Sequence, residues 1–116
     1  MIQLSPTSKI YLSVGFIDFR KGIDGLFGYC RNELSKDPFS GAVFVFRNRT
    51  LSAVKMLAYD GQGFWLMQKR LSKGKFKWWP ESQDHIHQIN IHELQVFLSV
   101  GNPDTANIGN DWKKIY

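Results

Sequence analysis

The cations of this chain are not spread evenly, and where they crowd they alternate with large aromatic rings. Residues 42–79 hold Arg47, Arg49, Lys55, Lys69, Arg70, Lys73, Lys75 and Lys77 against the single acid Asp60, while Tyr59, Trp65, Phe76, Trp78 and Trp79 fall in the same stretch. Residues 1–41 are almost balanced, and residues 80–116 reverse the sign, with Glu81, Asp84, Glu93, Asp104 and Asp111 against Lys113 and Lys114. Cations that contact phosphates, joined to rings that stack on bases, are the usual footprint of a nucleic-acid surface. On an extended chain alternate residues share a face, so Lys75, Lys77 and Trp79 project one way and Phe76 and Trp78 the other. The candidate phosphate contacts are Arg47, Arg49, Lys69, Arg70, Lys73, Lys75 and Lys77, and the candidate stacking ring is Trp79, with Tyr59 or Trp65 beside it. The plainer reading is a sheet with one wet, cationic side and an aromatic core, yet a merely soluble face mixes its signs. Both readings stay open on the sequence.

A second cationic group lies in Asp18-Phe19-Arg20-Lys21-Gly22, where Arg20 and Lys21 precede an apolar helical pattern. Cations there oppose the helix dipole and suit an anion, making Arg20 and Lys21 further phosphate candidates; the alternative is that Asp18 caps the helix and pairs locally. His85, His87 and His92 match no zinc spacing and have no cysteine pair beside them. Two-metal phosphoryl chemistry needs converging carboxylates, and each of Asp18, Asp24, Asp37 and Asp60 has a structural reason to sit at a turn or cap. Neither a nucleophile elbow nor a phosphate-binding loop with Lys and Ser/Thr occurs. The reading is therefore a non-enzyme with no catalytic residue, metal site or cofactor. Cys30, on an apolar stripe, is expected to be a buried and inert thiol.

The elements that must position these side chains follow from periodicity. Lys9–Val14 alternates as a strand ended by Gly15, and Phe19, Ile23, Leu26, Phe27, Cys30 and Leu34 repeat at helical spacing, predicting a helix over 19–34 with Asp18 as N-cap. Gly22, Gly25 and Gly28 line up on that helix; the reading favours close packing against the sheet over approach of a ligand. After the turn Asp37-Pro38-Phe39-Ser40-Gly41, strands are expected at 42–49, 52–59, 63–71 and 75–79, the second and third joined by the hairpin Asp60-Gly61-Gln62-Gly63. Asn90 and Glu93 have capping-box spacing, predicting a helix from Ile91 to about Val100, stopped by Gly101-Asn102-Pro103. The expected fold is α+β: one domain over 1–104 with an antiparallel meander, both helices on one sheet face, and a loose tail over 105–116.

The ordered series Asp18-Phe19-Arg20-Lys21-Gly22-Ile23-Asp24-Gly25-Leu26, Asp37-Pro38-Phe39-Ser40-Gly41, Val45-Phe46-Arg47-Asn48-Arg49, Lys55-Met56-Leu57, Tyr59-Asp60-Gly61 with Gly63-Phe64, and Lys69-Arg70-Leu71 before Gly74-Lys75-Phe76 spans about residues 9–100. It resembles the small accessory protein encoded beside the transposase in the sixty-sixth-numbered family of bacterial insertion sequences. The resemblance implies a role in transposition next to a larger transposase that carries the strand-transfer chemistry. Expected partners are therefore nucleic acid, in the first place element DNA, and the cognate transposase. A protein adaptor without DNA contact is the rival reading, and a metal-dependent nuclease a weaker third. The longest apolar run, Ala42–Phe46, falls far short of a membrane span, no secretion signal opens the chain, and a lone cysteine excludes an internal disulfide. A cytoplasmic protein without membrane contact is expected.

Overall fold

The computed structural model describes Leu4 and residues 7–99. The stop at Gly101-Asn102-Pro103 and the tail 105–116 lie outside the described residues. The elements are strand β1 (Ile10–Ser13), helix α1 (Ile23–Asn32), one 3-10 turn (Pro38–Ser40), strands β2 (Val43–Arg47), β3 (Ala53–Tyr59), β4 (Phe64–Arg70) and β5 (Ile86–Ile89), and helix α2 (Ile91–Leu98). They form one sheet in the order β4-β3-β2-β1-β5. β2, β3 and β4 make the expected antiparallel meander, but β1 runs parallel to β2, and β5 closes the far edge antiparallel to β1. The fold is α+β, with a mixed sheet rather than a purely antiparallel one.

The helices do not share a sheet face. Leu26 and Cys30 of α1 pack with Phe44, Phe46 and Leu57, whereas Leu94 and Phe97 of α2 pack with Ile10, Leu12, Val43, Val45, Val54 and Ala58 on the other side. A strand covered on both faces buries every residue, so it appears as an unbroken apolar run rather than an alternation. Ala42-Val43-Phe44-Val45-Phe46 is such a run, and all of it is buried.

Two segments differ from the sequence expectation for related reasons. Lys75–Trp79 is not a strand: Gly74, at φ 79°, turns the chain off the end of β4, and the stretch becomes an irregular strap across the α2 face. Its amide at Phe76 bonds to the Leu51 carbonyl at 2.8 Å, and the Phe76 ring stacks on Phe97 at 4.8 Å. The fifth strand is β5 instead, on the opposite edge beside β1, and its apolar residues Ile86 and Ile89 sit on opposite faces and so give no period-two signal.

α1 begins at Ile23 behind Gly22, not behind Asp18. The Asp18 carboxylate is engaged by Arg20, accepting from its amide at 2.9 Å and from its guanidinium at 2.6–3.1 Å, which makes a tight turn of residues 18–21 in place of a first helical turn. The glycine line does not pack on the sheet as expected: a Cβ on Gly22 would meet nothing within 4 Å, and one on Gly25 would meet only the Lys21 side chain, from 3.1 Å. By contrast the capping box is present, with Asn90 Oδ1 accepting from the Glu93 amide at 2.7 Å and Glu93 Oε1 from the Asn90 amide at 3.1 Å.

Cys30 is buried among these α1 contacts, and burial pushes its thiol up to about 12. Native protein at pH 8 is expected to leave an aromatic disulfide reagent unreacted, with one thiol titrating after denaturation. Rapid native reaction would mean that the seam between α1 and the sheet is open.

Candidate nucleic-acid interface

The sheet directions bring distant cations to one end of the molecule. β1 and β2 finish there, β3 and β5 start there, and β4 finishes there, because β2 is parallel to β1 and every other pairing is antiparallel. Arg47 and Arg49 occupy the β2–β3 turn at this end, and Arg70 ends β4. The strap carrying Lys73, Lys75 and Lys77 is held to the same turn by the Leu71 amide on the Ser52 carbonyl, 2.9 Å, and by the Phe76–Leu51 bond. The loop after β1 joins them through the Ile17 amide on the Arg47 carbonyl, 3.0 Å, adding Arg20 and Lys21. Arg20, Lys21, Arg49, Arg70, Lys73, Lys75 and Lys77 are all exposed. Among the described residues the one ion pair is Asp18–Arg20 at 2.6 Å, so the other cations of this group are not neutralised by a direct carboxylate contact there. That pairing holds the Asp18 carboxyl down at about 2.

The turn that displays Arg49 is stiffened by its own side chains. Asn48 Oδ1 accepts from the amides of Ser52 and Ala53 at 2.9 and 3.1 Å, its Nδ2 donates to Ser52 Oγ at 3.0 Å, and Leu51 takes φ 57° to close the loop. Arg47 is a strut more than a free cation. It is half-buried, donates to the carbonyls of Asn48 and Arg49 at 3.3 and 3.2 Å, and lies against the rings of Phe16 and Trp79 at 5.8 and 6.0 Å.

Two of the sequence candidates, Lys69 and Trp79, are engaged elsewhere. Lys69 Nζ donates to the Leu98 carbonyl, where a cation also complements the C-terminal end of the α2 dipole. Trp79 is half-buried; its indole N–H donates to the carbonyls of Ser13 and Val14 at 3.0 and 3.1 Å, and its ring packs edge-on to Phe97 at 5.5 Å. Lys55, counted within the basic stretch, is buried beneath the β1–α1 loop. Tyr59 and Trp65 lie beside the β3–β4 hairpin, at the opposite end of the strands from the cations. There Asp60 accepts from the amides of Gln62 and Gly63 at 2.9 Å and from the Trp65 indole at 2.8 Å, which together keep its carboxyl near 2.

The exposed ring at the cationic end is Phe16, half of whose surface is open at 52%. The sequence held half the signal: on an extended segment the adjacent Phe16 and Ile17 face opposite ways, so one of the two is exposed, and the structure buries Ile17. The carboxylates do not converge. Asp18 belongs to Arg20, Asp37 caps the 3-10 turn through the Phe39 amide at 2.9 Å, and Asp60 organises its hairpin at the other end. No group of three or more His, Cys, Asp or Glu suited to a metal occurs among the described residues, and none of their helices is long and apolar enough to cross a membrane.

Residues 8–106 match the family described as IS66 Orf2 like protein. The chain belongs to the IS66 Orf2-like family. That membership connects it with an insertion sequence and so with transposition. The IS66 Orf2-like chain is 31% identical over 113 residues to the uncharacterized protein y4hO of Sinorhizobium fredii (strain NBRC 101917 / NGR234), an alignment covering 97% of this chain and 90% of the relative. It is 33% identical over 115 residues to the uncharacterized protein y4jC of the same strain, covering 99% and 90%. No solved structure matches it.

Proposed function

We propose that this IS66 Orf2-like protein is a non-catalytic accessory factor of transposition that acts in the cytoplasm and binds nucleic acid, in the first place the DNA of its element. The carrying observation is the exposed cationic end, where Arg49, Arg70, Lys73, Lys75 and Lys77 face solvent, with Arg20 and Lys21 at the margin. These cations contact phosphates, Phe16 stacks on or wedges against a base, and Arg47 and Trp79 brace the surface from beneath. Lys69 contributes to the local field rather than as a contact. Such a surface reads the backbone far more than base edges, so affinity is expected to fall steeply with salt, by roughly 0.9 log units per log unit of salt for each phosphate neutralised on duplex DNA.

The test is a salt-varied titration against terminal-repeat DNA, unrelated duplex and single strands. Lys75→Ala with Lys77→Ala is expected to lower affinity roughly tenfold at moderate salt and to reduce the salt slope by about two. Binding independent of salt, or unchanged in the double variant, refutes the proposal. An adaptor that docks on the transposase is the second reading, favoured by the opposite end of the molecule: Phe39 is 52% exposed there and lies 5.0–5.4 Å from the rings of Phe27, Tyr59 and Phe64. Contact with the transposase that persists after nuclease treatment, in a protein that ignores DNA, selects the adaptor.

A further inference from the structure

β4 is an edge of the sheet, and no described element pairs with its outer side. Antiparallel ladders alternate, so two observed bonds fix which amides face outward. Asp60 N–H bonds to the Gly63 carbonyl at 3.1 Å and Leu71 N–H to the Ser52 carbonyl at 2.9 Å. With Tyr59 opposite Phe64 and Ala53 opposite Arg70, the backbone groups of Trp65, Met67 and Lys69 turn toward β3. Those of Phe64, Leu66, Gln68 and Arg70 turn to the open side. Natural edges are commonly blunted by charge spread along the strand. Here Lys69 and Arg70 sit at one end, Phe64 and Trp65 at the other, and Met67 in the middle.

We propose that the protein dimerises through this edge, two copies pairing β4 antiparallel about a two-fold axis at Met67, so that their sheets become one continuous sheet. This register uses every outward amide: Leu66 pairs with the partner's Gln68, and Phe64 with the partner's Arg70, each exchanging N–H and carbonyl bonds. It leaves Met67 against its own symmetry mate in a non-hydrogen-bonded position, with Cα atoms about 4.5 Å apart. The side chains agree with the backbone. On the α2 face Trp65, 40% exposed, meets the partner's Lys69, and on the α1 face Phe64 meets the partner's Arg70. Both are aromatic–cation pairs that favour association. A strand with its cations at both ends would set like charges opposite one another; this one does not. Arg70 belongs to both surfaces, but the proposal does not rest on nucleic-acid binding, because the edge pairing needs only the backbone of β4 and its test contains no nucleic acid.

Sedimentation equilibrium of the full chain, stripped of nucleic acid beforehand and run in low to moderate salt, tests it. Wild type is expected at twice the 13.4 kDa chain mass. Gln68→Pro removes an outward N–H that β3 does not use, a position where an edge strand tolerates proline, and is expected to be a monomer with an unchanged thermal melt. Trp65→Lys faces the partner's Lys69 and is expected to weaken the dimer roughly tenfold, whereas Trp65→Glu keeps it. The Trp65 pair decides the matter if Gln68→Pro does not fold. A monomeric wild type at its highest soluble concentration, or a dimer indifferent to Gln68→Pro and to the charge at 65, overturns the proposal.

Discussion

Phe97→Ala is expected to cost about 3–5 kcal/mol of folding stability, more than any other single truncation proposed for this chain. Phe97 has no exposed surface and is the hub of an aromatic group: Phe76 stacks on it at 4.8 Å, and Trp79 and Trp78 meet its ring at 5.5 and 6.3 Å. Truncation opens a cavity whose walls are the strap, the sheet and the rest of α2. The strap has no strand pairing to fall back on, so it should loosen first. Urea denaturation followed by tryptophan fluorescence measures the loss, and Phe97→Leu, which keeps most of the volume, should lose about 1–2 kcal/mol. The variant also separates structure from charge. Lys73, Lys75 and Lys77 are all still present in it, yet polyanion affinity should fall, because the strap no longer holds them beside Arg49. A loss below 1 kcal/mol would mean that the strap is not anchored on α2.

What could be read from the sequence was local. The Asp60–Gly63 hairpin and the Asn90–Glu93 capping box depend on residues within three positions of each other, and both form with the expected bonds. The alternation at 75–77 was local too: Phe76 is drawn inward while Lys75 and Lys77 on either side stay out. What escaped was set by distant partners. Lys69 finds its carbonyl 29 positions away and Trp79 finds its carbonyls 65 and 66 positions away, so no spacing rule could reveal that either was engaged. The parallel pairing of β1 with β2 and the edge position of β5 are equally non-local. Asp18 failed as a helix cap for a different reason: a guanidinium two residues on competes better for its carboxylate than an unformed helix end does.

Lys55→Met tests how the cationic end is joined to the rest of the fold. Lys55 sits in β3 and is 7% exposed; its ammonium donates to the carbonyls of Phe19 and Lys21 at 2.7 and 2.9 Å and lies 4.9 Å from the Phe19 ring centre. Burying a cation without a carboxylate is costly, and here two carbonyls and a ring face make the compensation. Hydrogen bonds to a charged group contribute about 1.5–3 kcal/mol each. Methionine keeps the length and recovers the desolvation of the ammonium, so the expected net loss is about 2–3 kcal/mol. The location of the damage is more specific than its size. The two carbonyls belong to the loop that carries Arg20 and Lys21 and leads into α1, so amide exchange should accelerate at Ile23–Leu26 while β2 and β3 stay protected. Polyanion binding should weaken by less than in the Lys75→Ala, Lys77→Ala variant, since only the margin of the surface is released. A Lys55→Met protein with wild-type stability and unchanged exchange in α1 would show that the ammonium reaches solvent and that the loop is held by something else.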